Sequence, residues 1–439
     1  MRPAVVTIWV FINLLFFGMC GYMYVLWSQY WLYMVGEVNP TPSPYDQQIY
    51  FYNHGFMPTE KYILIPKRKE EAKIRSRKHL KDNSTFTVVK DSKPRFPNVR
   101  NSNFELDTRK YRCKRNTNDF DCLSRTTEYK EKLLREFRRV ILDESSAFKS
   151  GSENPYSVQF EGPRENVESK IPDDVLCDLK RVEFGTLKRS DLPVESYLRP
   201  FLPKRAVFEN KFFNTCAIVA SSGALYGSNL GRFIDSHDLV LRFNNAPTIN
   251  FEKDVGKKTT IRILNSQVVT KKEFDFLNSN LYKNVTLVAW DPGNYSSSLD
   301  EWIRKPEFQL FENYMEHRRT VEKSRFYLVD PRTLWGLWRF LQSNTMSRLR
   351  KNPPSSGFLG LRLLLPICGS VDLIEYIPST RVTKRCHYYD TDINAACTFG
   401  VWHPLAAEKL ITYRLNVLND TQVFQQGFVR IPGFKKMNC

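Results

Sequence analysis

None of the nine cysteines in this 439-residue chain forms a Cys-x-x-Cys pair, so a structural zinc site is unsupported. The glycines at 223, 227 and 231 miss the spacing of a dinucleotide-binding turn, which argues against a nicotinamide cofactor. No internal repeat is apparent. Lysine and arginine are missing between Arg2 and Lys61. Within that gap, Val5–Trp27 runs without a charged residue. At ~1.5 Å per residue it is long enough to cross the ~30 Å apolar core of a bilayer. A cleaved signal peptide would have a shorter apolar region, roughly 7–15 residues, and a small-residue cleavage site. The flank Ser28-Gln29-Tyr30-Trp31 suits a membrane interface instead. Residues 1–4 are expected in the cytoplasm and 5–27 in the membrane as a signal-anchor. The rest is expected on the far side, following the modest positive bias of Arg2 and the amino terminus.

The formal charge of +18 would ordinarily raise nucleic acid as a partner. Its distribution does not. Residues 61–150 hold 25 Lys/Arg against 13 Asp/Glu, so most of the excess sits in one upstream segment. Placement across a membrane also argues against nucleic acid. Cys20 lies in the anchor, and the other eight cysteines are free to pair in an oxidising compartment. Asn83, Asn284, Asn294 and Asn419 begin Asn-x-Ser/Thr sequons and are glycosylation candidates.

Residues 28–170 read as a stem, largely extended or disordered. Asn39-Pro-Thr-Pro-Ser-Pro44 leaves the membrane, and the mainly basic run Lys67–Lys81 reads as a solvated spacer. Glu128–Leu142 has helical periodicity, with Leu133, Leu134, Phe137, Val140 and Ile141 on one side that suits docking on a globular body. Cys113 and Cys122 are near enough in sequence to pair locally.

From Ile171 to Cys439 the texture is that of a single α/β domain with a largely parallel sheet. Expected strands are Thr215–Ala220, Leu239–Phe243, Thr260–Leu264, Val285–Trp290, Arg325–Val329 and Val371–Ile377. Expected helices are Ala224–Asp235, Thr333–Ser343 and Gly357–Cys368.

Ser221-Ser222-Gly223 ends the first apolar run and opens a helical stretch. Hydroxyls and backbone N–H groups at a helix start suit an anion. Asn244 and Asn265 each follow a strand and offer both a donor and an acceptor, although turn asparagines do the same. Ser355-Ser356-Gly357 repeats the serine turn after Pro353-Pro354; one serine suffices for simple helix capping, and a second Ser-Ser-Gly helix entry favours a shared anion site more than either turn alone. His403 is the best acid–base candidate. Asp390-Thr391-Asp392 has the form of a metal-binding acidic pair, but such pairs are common.

These segments resemble the animal sialyltransferase family. Cys216–Gln267 is similar to its large motif and Pro354–Ile377 to its small motif. His387-Tyr-Tyr-Asp390 is similar to the third motif, and His403-Pro-Leu-Ala-Ala-Glu408 to the very small one. Within the family, Leu239-Val-Leu-Arg-Phe-Asn-Asn-Ala-Pro247, Asn265-Ser-Gln267 and Trp290-Asp-Pro292 look most like the β-galactoside α-2,6 branch. The resemblance implies a Rossmann-like domain, a variant of the GT-A architecture, in a type II Golgi membrane protein. It implies inverting, metal-independent transfer from CMP-sialic acid to the 6-hydroxyl of a terminal galactose-type sugar on glycoprotein glycans. No cofactor is implied, since CMP-sialic acid is the donor substrate. His403 would be the general base. Ser221, Asn244, Asn265, Ser355, Ser356, Gly357, Cys386, His387 and Thr398 would hold the donor. Gln267, Glu307, Trp402 and Lys409 would contact acceptor or donor. Glu307 stands where the branch usually has Asp, and Trp402 where it has Tyr, which leaves galactose and N-acetylgalactosamine both open as acceptor. The resemblance also implies disulfides Cys177–Cys439, Cys216–Cys368 and Cys386–Cys397. Two alternatives remain: a different linkage (α-2,3 or α-2,8), and an inactive, membrane-anchored glycan-binding relative.

Overall fold

The computed structural model of the protein describes residues 108–113, 120–147, 154–160, 162, 167 and 170–439, apart from 322, 323, 392, 394, 395 and 401. The expected anchor, the basic run Lys67–Lys81 and the sequon at Asn83 lie outside the described residues. Among the described residues, no helix is long and apolar enough to cross a membrane.

Seven strands form one sheet: β1 (Phe213–Val219), β2 (Leu239–Phe243), β3 (Ile261–Asn265), β4 (Thr286–Trp290), β5 (Phe326–Leu328), β6 (Cys368–Ile374) and β7 (Phe428–Pro432). Their order is β5-β4-β3-β2-β1-β6-β7. The first six are parallel, and β7 runs antiparallel to β6. All five residues of β2 and of β4 are buried, as expected of apolar strands covered on both faces. The chain winds outward from β1 to β5, then returns to place β6 on the other side of β1. That reversal opens a crevice at the carboxyl ends of the strands, where open α/β sheets bind ligands. β7 was not expected from the sequence. It is a short edge strand ending in Pro432, a position that tolerates a residue without an N–H.

The principal helices are α1 (Phe120–Ala147), α2 (Pro172–Arg181), α3 (Ser266–Thr270), α4 (Phe311–Thr320), α5 (Pro331–Ser343), α6 (Ser356–Leu364) and α7 (Leu405–Arg414). Two expectations need correction. The helix expected at Ala224–Asp235 is broken into a 3-10 turn, Gly223–Leu225, and a short helix, Gly231–Asp235. Between them the Asp254 carboxylate accepts from the amides of Gly227 and Asn229, and both residues have positive φ. The helix expected to reach Cys368 stops at Leu364, because Cys368 opens β6.

The upstream segment is also more structured than an extended stem. Leu133, Phe137 and Ile141 of α1 are buried against the body. The Tyr129 hydroxyl donates to the carbonyls of Pro378 and Ser379, and Lys130 pairs with Asp420 at 2.7 Å. Before α1, Thr108 Oγ1 donates to the Thr380 carbonyl at 2.7 Å. Parts of residues 108–147 therefore belong to the folded body, which begins before Ile171. The apolar stripe of α1 is what makes this docking favourable.

All three expected disulfides are formed, with Cα–Cα distances of 5.9 Å (Cys177–Cys439), 6.1 Å (Cys216–Cys368) and 5.5 Å (Cys386–Cys397). Cys113–Cys122 is a fourth, at 5.4 Å. Cys216–Cys368 joins the adjacent strands β1 and β6.

Candidate functional site

The expected site residues gather along the carboxyl edge of the sheet. At the end of β1, Ser222 Oγ accepts from Ala224 N–H and caps the 3-10 turn. The segment after Cys386 crosses this turn. Gly223 N–H donates to the Cys386 carbonyl and Tyr388 N–H to the Ser221 carbonyl, both at 3.1 Å. A Cβ on Gly223 would lie 2.3 Å from the Arg385 carbonyl oxygen, so only glycine allows the crossing. His387 is held by Asp390 through Nδ1 and stacks on Tyr389, with centroids 5.1 Å apart. Asp390 is thus engaged by a histidine, and Asp392 lies outside the described residues.

Next along the edge, Asn244 has φ +44 and accepts through Oδ1 from Asn265 N–H at 3.0 Å. Asn265 in turn caps α3 through Val268 N–H at 3.1 Å. The two asparagines thus fix each other across the ends of β2 and β3.

The second serine turn opens α6. Ser355 Oγ accepts from Phe358 N–H as the helix cap and donates to the Glu408 carboxylate, while Ser355 N–H donates to the other Glu408 oxygen at 2.7 Å. Glu408 is fully buried and also accepts from Tyr376 OH at 2.8 Å. Burial raises its pKa. Ser356 Oγ accepts from Trp290 Nε1 at 2.8 Å, tying the turn to the end of β4. Gly357 is required by Tyr376, whose ring carbon would lie 2.5 Å from an added Cβ.

His403 belongs to this second group. Its Nδ1–H donates to the Pro353 carbonyl at 2.8 Å, so Nε2 carries the lone pair of the neutral ring. Trp402 packs edge-on at 4.5 Å and Trp290 lies at 6.1 Å. Burial lowers the imidazole pKa to about 4, so it is neutral at physiological pH.

The residues expected to contact acceptor or donor lie close by. Tyr156 OH donates to Glu307 Oε2 at 2.7 Å, and its ring meets Trp402 at 6.2 Å. Burial, reinforced by the nearby Asp291 carboxylate, pushes Glu307 up to about 8, and burial raises Asp291 to about 6. Glu307 is therefore mostly a neutral acid at pH 7. Its Oε1 and Gln267 Nε2 are both buried without a hydrogen-bond partner among the described residues. Two unsatisfied buried polar atoms need an explanation, and a hydroxyl-bearing ligand supplies one. Lys409 donates to the Thr398 carbonyl and lies 5.7 Å from the Phe137 ring centre, which makes α1 part of this wall. Burial lowers its pKa to about 7. Asn284, Asn294 and Asn419 are all exposed.

Sequence reasoning missed Tyr156, Asp291 and Tyr376. Tyr156 lies far upstream in a segment read as stem, so nothing in its surroundings pointed to it. Asp291 lies within the Trp290-Asp-Pro292 run, where nothing local marks it as a buried carboxylate.

A profile of glycosyltransferase family 29 (sialyltransferase) matches residues 168–419. The protein named beta-galactoside alpha-2,6-sialyltransferase 2 of Bos taurus is 44% identical over 291 residues, covering 65% of this chain and 58% of that one. Its Homo sapiens namesake is 43% identical over 291 residues, covering 65% and 54%. The chain thus spans little more than half the length of the curated relatives it matches. A solved structure titled "Crystal Structure of a Mammalian Sialyltransferase" is 25% identical and covers 58% of this chain and 78% of that one, with a TM-score of 0.32.

Proposed function

The chain belongs to glycosyltransferase family 29 (sialyltransferase), and on that premise we propose that it transfers sialic acid from CMP-sialic acid to the 6-hydroxyl of a terminal galactose on glycoprotein glycans. In this reading the domain is a Rossmann-like GT-A variant. It faces the Golgi lumen from a type II anchor at residues 5–27, and the reaction needs no metal.

The hydrogen bond from His403 Nδ1 to the Pro353 carbonyl carries the proposal. It fixes a neutral imidazole two residues from the second serine turn, with Nε2 left as the acceptor of a proton. The 6-hydroxyl oxygen attacks the anomeric carbon of sialic acid from the face opposite CMP. The bond from that carbon to the CMP phosphate oxygen breaks, and its electron pair leaves with CMP. The hydroxyl proton passes to His403 Nε2, and attack from the face opposite the departing CMP inverts the anomeric centre. General-base help of this kind contributes typically 10²–10⁴-fold. The leaving phosphate is already acidic and needs no strong acid catalyst. Its growing charge meets the Asn244 and Ser356 side chains and the amino-terminal end of α6. Ser221, Asn265, Ser355, Gly357, Cys386, His387 and Thr398 frame the rest of the donor pocket. Gln267 Nε2 and the Glu307 carboxyl serve as hydrogen-bonding groups for the acceptor sugar.

The test is a transfer assay of the full-length protein with CMP-sialic acid on galactose- and N-acetylgalactosamine-terminated glycans, followed by linkage analysis. An α-2,6 product on galactose that persists in chelator supports the reading. An α-2,3 or α-2,8 product replaces it with another linkage. Glycan binding without transfer identifies an inactive relative.

A further inference from the structure

Arg242 and Arg262 stand side by side in register on β2 and β3, and each is only 1% exposed. Neither is hydrogen-bonded to a carboxylate or in an ion pair among the described residues, although the Asp235 carboxylate acts on Arg242. Arg242 Nε donates to the Lys258 carbonyl and Thr259 Oγ1, both at 3.1 Å, and its Nη2 donates to the Val255 carbonyl at 2.5 Å. Arg262 Nη1 donates to three carbonyls of one turn: Phe243 at 3.3 Å, Asn244 at 2.8 Å and Ala246 at 3.0 Å. Arg242 Nη1 and Arg262 Nε are buried without a hydrogen-bond partner among the described residues. Burial lowers both guanidinium pKa values, that of Arg242 to about 10, and a guanidinium keeps its charge in proteins.

Two like charges side by side, neither in an ion pair among the described residues and only Arg242 acted on by a carboxylate, Asp235, are an expensive way to fill a core. A structural role alone would be served better by an ion pair or by apolar side chains. Their position suggests what offsets the cost. Arg262 holds the turn that carries Asn244 in its left-handed conformation, at the edge assigned above to the anionic donor.

We propose that Arg242 and Arg262 are positioning residues for the donor: Arg262 clamps the Phe243–Ala246 turn so that Asn244 faces the ligand, and the pair supplies a fixed positive field that favours the donor's anionic groups. The inference rests on the CMP-sialic acid reading. It adds a source of anion selectivity that makes no direct contact with the ligand. A charge held in a low-dielectric interior acts over several ångströms with little screening.

The test compares binding of CMP and of uncharged cytidine to the full-length protein by titration calorimetry. For Arg262→Met, CMP affinity is expected to fall on the order of tenfold or more, with cytidine affinity changed far less. For Arg262→Lys, which keeps the charge but loses the three-carbonyl clamp, both affinities weaken together and the CMP-to-cytidine ratio stays near that of the wild type. The inference is overturned if Arg262→Met weakens CMP and cytidine equally or leaves both unchanged. Should Arg262→Met fail to fold, collapse of the ratio in Arg262→Lys overturns it and retention supports it. A wild-type protein that binds no CMP defeats the donor reading itself, before any variant is measured.

Discussion

Ser-Ser-Gly occurs twice at the carboxyl edge of the sheet, and the two copies are held in different ways. At 221–223 the turn caps only a three-residue 3-10 helix, and the backbone of Arg385–Tyr388 crosses over it. At 355–357 it caps the nine-residue α6 and is locked from below by the fully buried Glu408. Backbone-to-backbone contacts define the first turn, while a buried carboxylate defines the second. The same tripeptide thus yields an open turn whose serines are half-exposed and a second one, braced by a buried carboxylate, that follows the Pro353 carbonyl holding His403.

Removing the support of the second turn is expected to have the largest effect. Glu408→Ala leaves Ser355 N–H, Ser355 Oγ and Tyr376 OH without their acceptor, and should cost about 3–5 kcal/mol of stability. Among the described residues no buried carboxylate plays that part at the first turn, where Tyr389 bonds Ser221. The first turn breaks instead through its backbone crossing. Gly223→Ala drives a Cβ into the Arg385 carbonyl, and should cost about 1–3 kcal/mol and weaken CMP binding. A smaller contrast lies in the caps: Ser355→Ala should destabilise by about 2 kcal/mol and Ser222→Ala by about 0.5 kcal/mol. Thermal or urea unfolding of each variant checks all three, and equal costs for the two cap variants would erase the distinction.

A fourth expectation concerns pH. The Glu307 carboxyl is pushed up to about 8 in the folded protein, above its unfolded value. The folded state therefore holds a proton that the unfolded state has released, and stability falls as pH rises from about 4.5 towards 8. Glu307→Gln should flatten that part of the stability–pH curve, and an unchanged slope would show that Glu307 does not hold the proton.

Much of this edge was legible in the sequence. The six parallel strands were marked by short apolar runs, four of them ending at Ser221, Asn244, Asn265 or Trp290-Asp291, and the first serine turn stood at the end of β1. The break at Gly227–Asn229 was not legible, because it depends on a carboxylate, Asp254, some twenty-five residues away in sequence. β7 was hidden by its edge position and terminal proline. The roles of Glu408 and Tyr156 depend on partners fifty or more residues away, which no local pattern reveals. The α1 helix was readable as a helix, but its contacts with Pro378, Ser379 and Asp420 were not.

The account turns on His403 acting as a base that burial keeps neutral. The measurement that tests it most directly is the pH dependence of kcat/KM for sialic acid transfer, which reports groups of the free enzyme. Protonation removes the Nε2 lone pair, so activity should be lost only as pH falls through about 4, leaving the acid limb far below the ordinary histidine value of 6.5. An acid limb centred near 6.5, or one that persists unchanged in His403→Ala, would contradict the account.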